Sequence, residues 1–132
     1  MTDWELPEPH EEYHDNGRLF KRGAFKDGIA DGLWEEYYED GQLKFRATYR
    51  NGRAHGLCEE YHDNGQVMMR GTFKDGSLEG PFEAYWEDGE VWGKGTFKDD
   101  KRCGEWEEWW LGDLESDKSY FGPCPPGLEG GN

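Results

Sequence analysis

Adjacent glutamates that recur by position, among them Glu35/Glu36, Glu59/Glu60 and Glu107/Glu108, are the first residues to invite an acid–base reading. General acid–base work needs carboxyl groups that converge on one substrate. Adjacent residues of a strand point to opposite faces, so no such pair forms a dyad. Histidines stand at His10, His14, His55 and His62, and their spacing fits no strong metal-ligand motif. A row of His10, Glu12 and His14 leaves a small hydrolase as one alternative reading. Ser77, Ser116 and Ser119 belong to no nucleophile elbow, and the glycines form no phosphate-binding loop. Cys58, Cys103 and Cys124 are far apart and odd in number, so neither a zinc site nor a disulfide scaffold is expected. The expectation is a non-enzyme with no catalytic, metal or cofactor-binding residue.

Binding chemistry is the stronger signal. Tyr37, Tyr61, Tyr85 and Trp109 follow one another at steps of 24 residues. Aromatics of this kind are favoured at interface centres. Trp110 follows Trp109, and Glu36 and Glu60 precede two of the tyrosines. Glu12, Glu36, Glu60 and Glu108 share the parity of the apolar positions. A carboxylate there sits at a wet margin or pairs with a basic group. These seven residues (Tyr37, Tyr61, Tyr85, Trp109, Trp110, Glu36, Glu60) are the candidate protein-binding set.

The net charge of −15 comes from 30 acidic residues against 15 basic ones. That field repels nucleic-acid backbones and anionic membranes and steers a basic protein inward. No apolar run approaches the ~18 residues of a membrane span, and the start shows no secretory pattern. With its cysteines read as unpaired, the chain is expected in the cytoplasm.

The elements that must position these residues are written in a repeat. HEEYHDNG (10–17) returns as CEEYHDNG (58–65), and GAFKDG (23–28) returns as GTFKDG (71–76) and GTFKDD (95–100). Gly17, Gly41, Gly65 and Gly89 keep the 24-residue step, as do Phe25, Tyr49, Phe73 and Phe97. Each copy carries two hairpin signals, such as Asp40-Gly41 and Asn51-Gly52. Between them the apolar period is two: Leu43, Phe45, Ala47 and Tyr49 alternate with Lys44, Arg46, Thr48 and Arg50. The fold class expected is all-β, an elongated single-layer antiparallel meander of hairpin repeats.

Two-residue turns would place Tyr38 opposite Leu43, Glu36 opposite Phe45 and Trp34 opposite Ala47. They would also place Ala47 opposite Gly56, Phe45 opposite Cys58 and Lys44 opposite Glu59. Gly23, Gly71 and Gly95 would face Gly32, Gly80 and Gly104. Turns of this size at both ends drift by two residues per copy, so an irregularity is expected within 52–56. The turn at Asp99-Asp100 lacks its glycine and is expected to be weaker or differently shaped. Cys58 occupies the slot of Trp34 and Phe82 and reads as a small core residue.

Residues 1–9 read as an irregular lead-in, 10–121 as the array and 122–132 as a flexible tail. In the last copy Gly112 arrives one residue early, and Trp109, Trp110 and Leu111 suit either a cap or a docking patch.

The stretches EYHDNG (12–17), YYEDG (37–41), EYHDNG (60–65) and YWEDG (85–89), each followed by GAFKDG, TYRNG, GTFKDG or GTFKDD, resemble MORN-type repeats. They are especially similar to the bacterial YwqK-type antitoxin repeat family. The resemblance covers about residues 10–121. It implies hairpin meanders that bind rather than catalyse, and an antitoxin or immunity-like protein that neutralises a toxin by contact. The second expectation is a structural protein that self-associates through its edge strands.

Overall fold

The computed structural model describes residues 7–110 and 114–126. Among them, eleven strands form one open antiparallel sheet. They are β1 (Glu8–Tyr13), β2 (Leu19–Lys26), β3 (Ile29–Ala30), β4 (Gly32–Tyr37), β5 (Leu43–Arg50) and β6 (Arg53–Tyr61), then β7 (Val67–Lys74), β8 (Ser77–Tyr85), β9 (Val91–Lys98), β10 (Lys101–Glu108) and β11 (Asp117–Tyr120). Spatial order follows chain order from β1 to β11, with the short β3 paired only to β2. The expected elongated single-layer meander is what forms.

Two turn chemistries alternate. At Asn51-Gly52 both residues have positive φ, 53° and 80°, and Arg50 pairs with Arg53. This is the two-residue type I′ turn, and Asp27-Gly28 and Asp75-Gly76 repeat it. Asp99-Asp100 keeps the same shape, with φ of 50° and 66°, so of the two expectations for this turn the different shape does not occur. Aspartate tolerates the left-handed region. The Asp100 side chain also accepts a 2.7 Å bond from the Leu78 amide.

The turn at Asp40-Gly41 is different. The Tyr38 amide donates to the Gln42 carbonyl at 2.8 Å, and the Gly41 amide donates to the Tyr38 carbonyl at 2.9 Å. Only Gly41 takes positive φ, 94°. The loop therefore holds three residues and ends in a glycine bulge. Tyr37, not Tyr38, is paired with Leu43. Glu36 opposite Phe45 and Trp34 opposite Ala47 are as expected.

The drift is absorbed at Gly56. Ala47 pairs with Cys58 but Tyr49 pairs with Ala54, so residues 55–57 oppose Thr48 alone. Gly56 has φ of 104° there, within the segment where the irregularity was expected. The same slip recurs between Gly71–Phe82 and Phe73–Leu78. It moves every downstream partner by two. Phe45 faces Glu60 rather than Cys58, Ala47 faces Cys58 rather than Gly56, and Arg46 rather than Lys44 faces Glu59. Gly71 faces Phe82, not Gly80, and Gly80 faces Phe97. On the β4 side Arg22 pairs with Glu35, and on the β10 side Lys94 pairs with Glu107, so the Trp34 and Trp106 rings, not Gly32 and Gly104, come to lie at Gly23 and Gly95.

The corrected register lays one row of side chains along each face. On the apolar face large and small residues alternate: His10, Gly23, Trp34, Ala47, Cys58, Gly71, Phe82, Gly95, Trp106. Trp34, Phe82 and Trp106 each lie over the glycine of the neighbouring strand before them, while Cys58 fills a large-residue slot opposite Ala47. A Cβ on Gly23 would stand 2.1 Å from the Trp34 ring, and one on Gly95 would stand 2.2 Å from the Trp106 ring. The indole N–H of Trp34 donates to the Ala24 carbonyl at 3.2 Å, and that of Trp106 to the Thr96 carbonyl at 3.0 Å. Phe25 and Phe97 pack edge-on against those indoles, with ring centroids 5.1 and 5.0 Å away. Trp106 is 2% exposed, and full burial of a large apolar side chain contributes about 1.5–3 kcal/mol.

On the other face charges alternate along the row Glu11, Arg22, Glu35, Arg46, Glu59, Arg70, Glu83, Lys94, Glu107, Lys118. Each neighbour opposes a charge of the other sign, so a slip of one strand would juxtapose different partners.

At the C-terminal end, Cys103 is bonded to Cys124. This corrects the expectation of unpaired cysteines. The two are 21 residues apart in sequence. They meet because the chain after β11 folds back, with the Gly104 amide donating to the Gly122 carbonyl at 2.6 Å. Arg102 lies over both the Trp106 and Phe121 rings. Leu111 and Gly112, the proposed cap residue and early turn glycine, lie outside the described residues.

Candidate functional site

Tyr37, Tyr61 and Tyr85 close β4, β6 and β8 and stand half-buried at one phase. Each follows a row glutamate by two residues, on the charged face. Tyr85 donates its hydroxyl proton to Glu83, and the guanidinium of Arg22 lies 5.8 Å from the Tyr37 ring centre. Burial and then the Glu35 carboxylate push the Tyr37 phenol above its ordinary range. For Tyr85 the hydrogen bond to Glu83 is the main cause of a rise, with burial second. The Tyr37 and Tyr85 phenols therefore stay neutral over a wide pH range.

Glu59 is the most buried carboxylate of the charged row, at 4% exposure. Arg46 donates to one oxygen at 2.8 Å and Arg70 to the other at 2.7 Å. Burial alone would raise its pKa. The two guanidinium bonds outweigh that effect and hold it below the ordinary carboxylate range.

Glu36 and Glu60 belong to the other face. Glu36 pairs with Phe45, and Glu60 with both Phe45 and Met69. The candidate tyrosines and these two glutamates thus do not converge, because each glutamate adjoins its tyrosine in a strand. Cys58 is buried, and desolvation, followed by the Glu60 and Glu59 charges, pushes its thiol up to about 11. It is a packing residue with an unreactive thiol.

The copies are stitched together at the loops. His14 Nε2 donates to the Tyr37 carbonyl at 2.8 Å, Tyr38 Oη to the Tyr61 carbonyl at 2.5 Å, and His62 Nε2 to the Tyr85 carbonyl at 3.0 Å. Donation fixes the proton on Nε2 of both histidines. Asn16 and Asn64 reach the carbonyls of Glu39 and Glu87 in the same way. On the opposite side the Gly52, Gly76 and Asp100 amides donate to the carbonyls of Ala30, Ala54 and Leu78. His10 is engaged with Glu12 at 2.9 Å and packs near Phe25 and Trp34. His14 is spent on its carbonyl, so the histidine row does not act together.

Trp86 takes the place of His14, Tyr38 and His62, but its Nε1 is buried without an acceptor among the described residues. Beside it, Trp86, Trp92, Glu108, Trp109 and Trp110 line an apolar cleft of about 250 Å³. Trp109 and Trp110 thus lie at the C-terminal end of the array, with Trp110 65% exposed. The Trp109 amide donates to the Trp92 carbonyl at 2.8 Å, and the Trp110 indole donates to Asp117 at 3.0 Å. A cleft at the same phase in the first copy is lined by His14, Phe20, Tyr37 and Tyr38. Sequence reasoning passed over Trp86 and Trp92. Their signal is positional: indoles replace the polar or mixed residues of earlier copies at both slots.

Among the described residues no three His, Cys, Asp or Glu side chains are placed to hold a metal ion. No described helix is long and apolar enough to cross a membrane. None of the curated proteins compared matches the chain. The model of the MORN repeat variant matches residues 30–51, 54–75 and 78–99, together half of the chain. Each matched segment covers nearly all of one strand pair (β4–β5, β6–β7 or β8–β9) and ends on the first residue of the turn that follows, in step with the repeats described above. The chain is a repetitive β-module of a kind typical of protein–protein interaction repeats, and it belongs to the MORN repeat variant family.

Proposed function

We propose that this protein binds a basic protein partner through the charged face of its sheet and neutralises it by contact, as an antitoxin or immunity protein would. The observation that carries the reading is the placement of Tyr37, Tyr61 and Tyr85 at one phase beside the alternating charged row. Half-buried tyrosines supply rigid contact area at low entropic cost. The surplus of acidic residues speeds encounter with a cationic surface. The expected cytoplasmic setting rested on unpaired cysteines, and the Cys103–Cys124 bond takes that ground away.

Affinity capture from a native lysate with wild type and Tyr61→Ala tests the proposal. The expected result is a basic protein retained by wild type and lost, or released faster, with Tyr61→Ala. Capture that is identical for both would defeat it.

A second reading is favoured by β1, which ends the sheet with no further strand beside it among the described residues. Open edges pair with other strands. On this reading copies associate through β1, and sedimentation shows mass rising with concentration. A single monomeric species across the range counts against it.

A further inference from the structure

We infer that the cleft formed by Trp86, Trp92, Trp109, Trp110 and Glu108 takes the trimethylated side chain of a lysine on a partner protein. This rests on the protein-binding reading and names the group that one part of the surface recognises. Four indoles and one carboxylate converge at this place. The Trp86 and Trp92 rings stand 5.9 Å apart at 41°, an open angle rather than a stack. Aromatic faces carry negative potential and attract a cation placed over them, indole most strongly.

Size narrows the occupant. Pockets for drug-sized ligands run from roughly 300 to 1,000 Å³, and this cleft is about 250 Å³. It suits one side chain. Charge narrows it further, since the molecule carries −15 and the cleft holds Glu108. One oxygen of Glu108 already accepts from Arg102 at 3.2 Å. A primary ammonium brings three N–H donors that need acceptors and a tight hydration shell. A trimethylammonium brings the charge with no donor to satisfy, so an apolar cage accepts it at lower desolvation cost.

The lining favours a lysine side chain over a free small cation. A trimethylated lysine carries its charge on a four-carbon stem, and that stem lies along apolar surface while the charged head meets the rings. Trp86, Trp92, Trp109 and Trp110 supply such surface around the cleft. Tetramethylammonium has the same charge and no stem, so it makes only part of these contacts.

The test is a titration of the full chain, labelled with nitrogen-15, followed at its indole N–H resonances. The probes are N-acetyl-trimethyllysine methylamide, the unmodified lysine amide, the neutral analogue with carbon in place of the ammonium nitrogen, and tetramethylammonium. The expected result is saturable shifts at the Trp86 and Trp92 resonances, with the trimethyllysine probe binding about tenfold tighter than its neutral analogue. Lysine and tetramethylammonium bind more weakly than the trimethyllysine probe, and Glu108→Gln weakens it several-fold. Equal binding of the neutral analogue, tighter binding of lysine, equal binding of tetramethylammonium, or no saturable shift each overturns the inference. The probes need no protein partner, so this outcome is separate from the result with Tyr61→Ala.

Discussion

Ala47 lies directly opposite Cys58 in the second full copy, where its neighbours place a glycine beneath a ring. Trp34 covers Gly23, Phe82 covers Gly71 and Trp106 covers Gly95. Where the small residue gains a methyl group, the large one shrinks to a thiol. Both are nearly inaccessible, at 1% and 4% exposure. The departure of Ala47 from the repeat is thus a compensated pair, and it conserves packing along the row.

That pairing predicts the cost of single changes. Gly23→Ala and Gly95→Ala drive a methyl group into an indole ring and should each cost about 1–3 kcal/mol in denaturant unfolding. Gly93→Ala meets its first neighbour at 4.0 Å and should change stability by less than about 0.5 kcal/mol. Equal losses at all three glycines would refute the row.

The hairpin content and faces were legible because alternation and turn dipeptides are local. The register was not. Asp40-Gly41 and Asn51-Gly52 look alike as dipeptides, yet only the second is a two-residue turn. The choice depends on whether Tyr38 bonds to Gln42, which no local pattern states. Gly56 could be placed because the drift had to be absorbed and glycine permits it. Tyr37, Tyr61 and Tyr85 were legible from phase. The Trp86–Trp92 cleft was not, since it forms only when β8, β9 and the end of β10 lie side by side. The Cys103–Cys124 bond escaped for the same reason: the contact is non-local.

Reduction gives the second prediction. The bond ties the chain beyond β11 to β10, and closing a loop of this length stabilises by about 3 kcal/mol. Cys124→Ser should lower the unfolding free energy by about that amount while Cys58→Ser, at a different site, leaves the redox dependence intact. Insensitivity of the wild-type transition to reductant would contradict it.

Acid gives the third. The folded pKa of Glu59 lies below its unfolded value, so its contribution is fully present above the unfolded value, near 4.3, and fades as pH falls through the folded one. Glu59→Gln removes the charge at every pH. The difference in stability between wild type and Glu59→Gln should therefore be about 2 kcal/mol at neutral pH and shrink toward zero in acid. A difference that is flat with pH would contradict the Arg46–Glu59–Arg70 account.

The 24-residue phase itself is tested by deletion. Removing residues 33–56 joins Gly32 to Leu57, the same neighbours as Gly32 and Leu33, and leaves both rows aligned with one copy fewer. Removing 33–54 joins Gly32 to His55 and puts the copies two residues out of step. Circular dichroism with thermal unfolding should show a β-rich, cooperatively unfolding protein for the first deletion and a loss of both properties for the second. If the two deletions behave alike, the in-phase array is not what holds this molecule together.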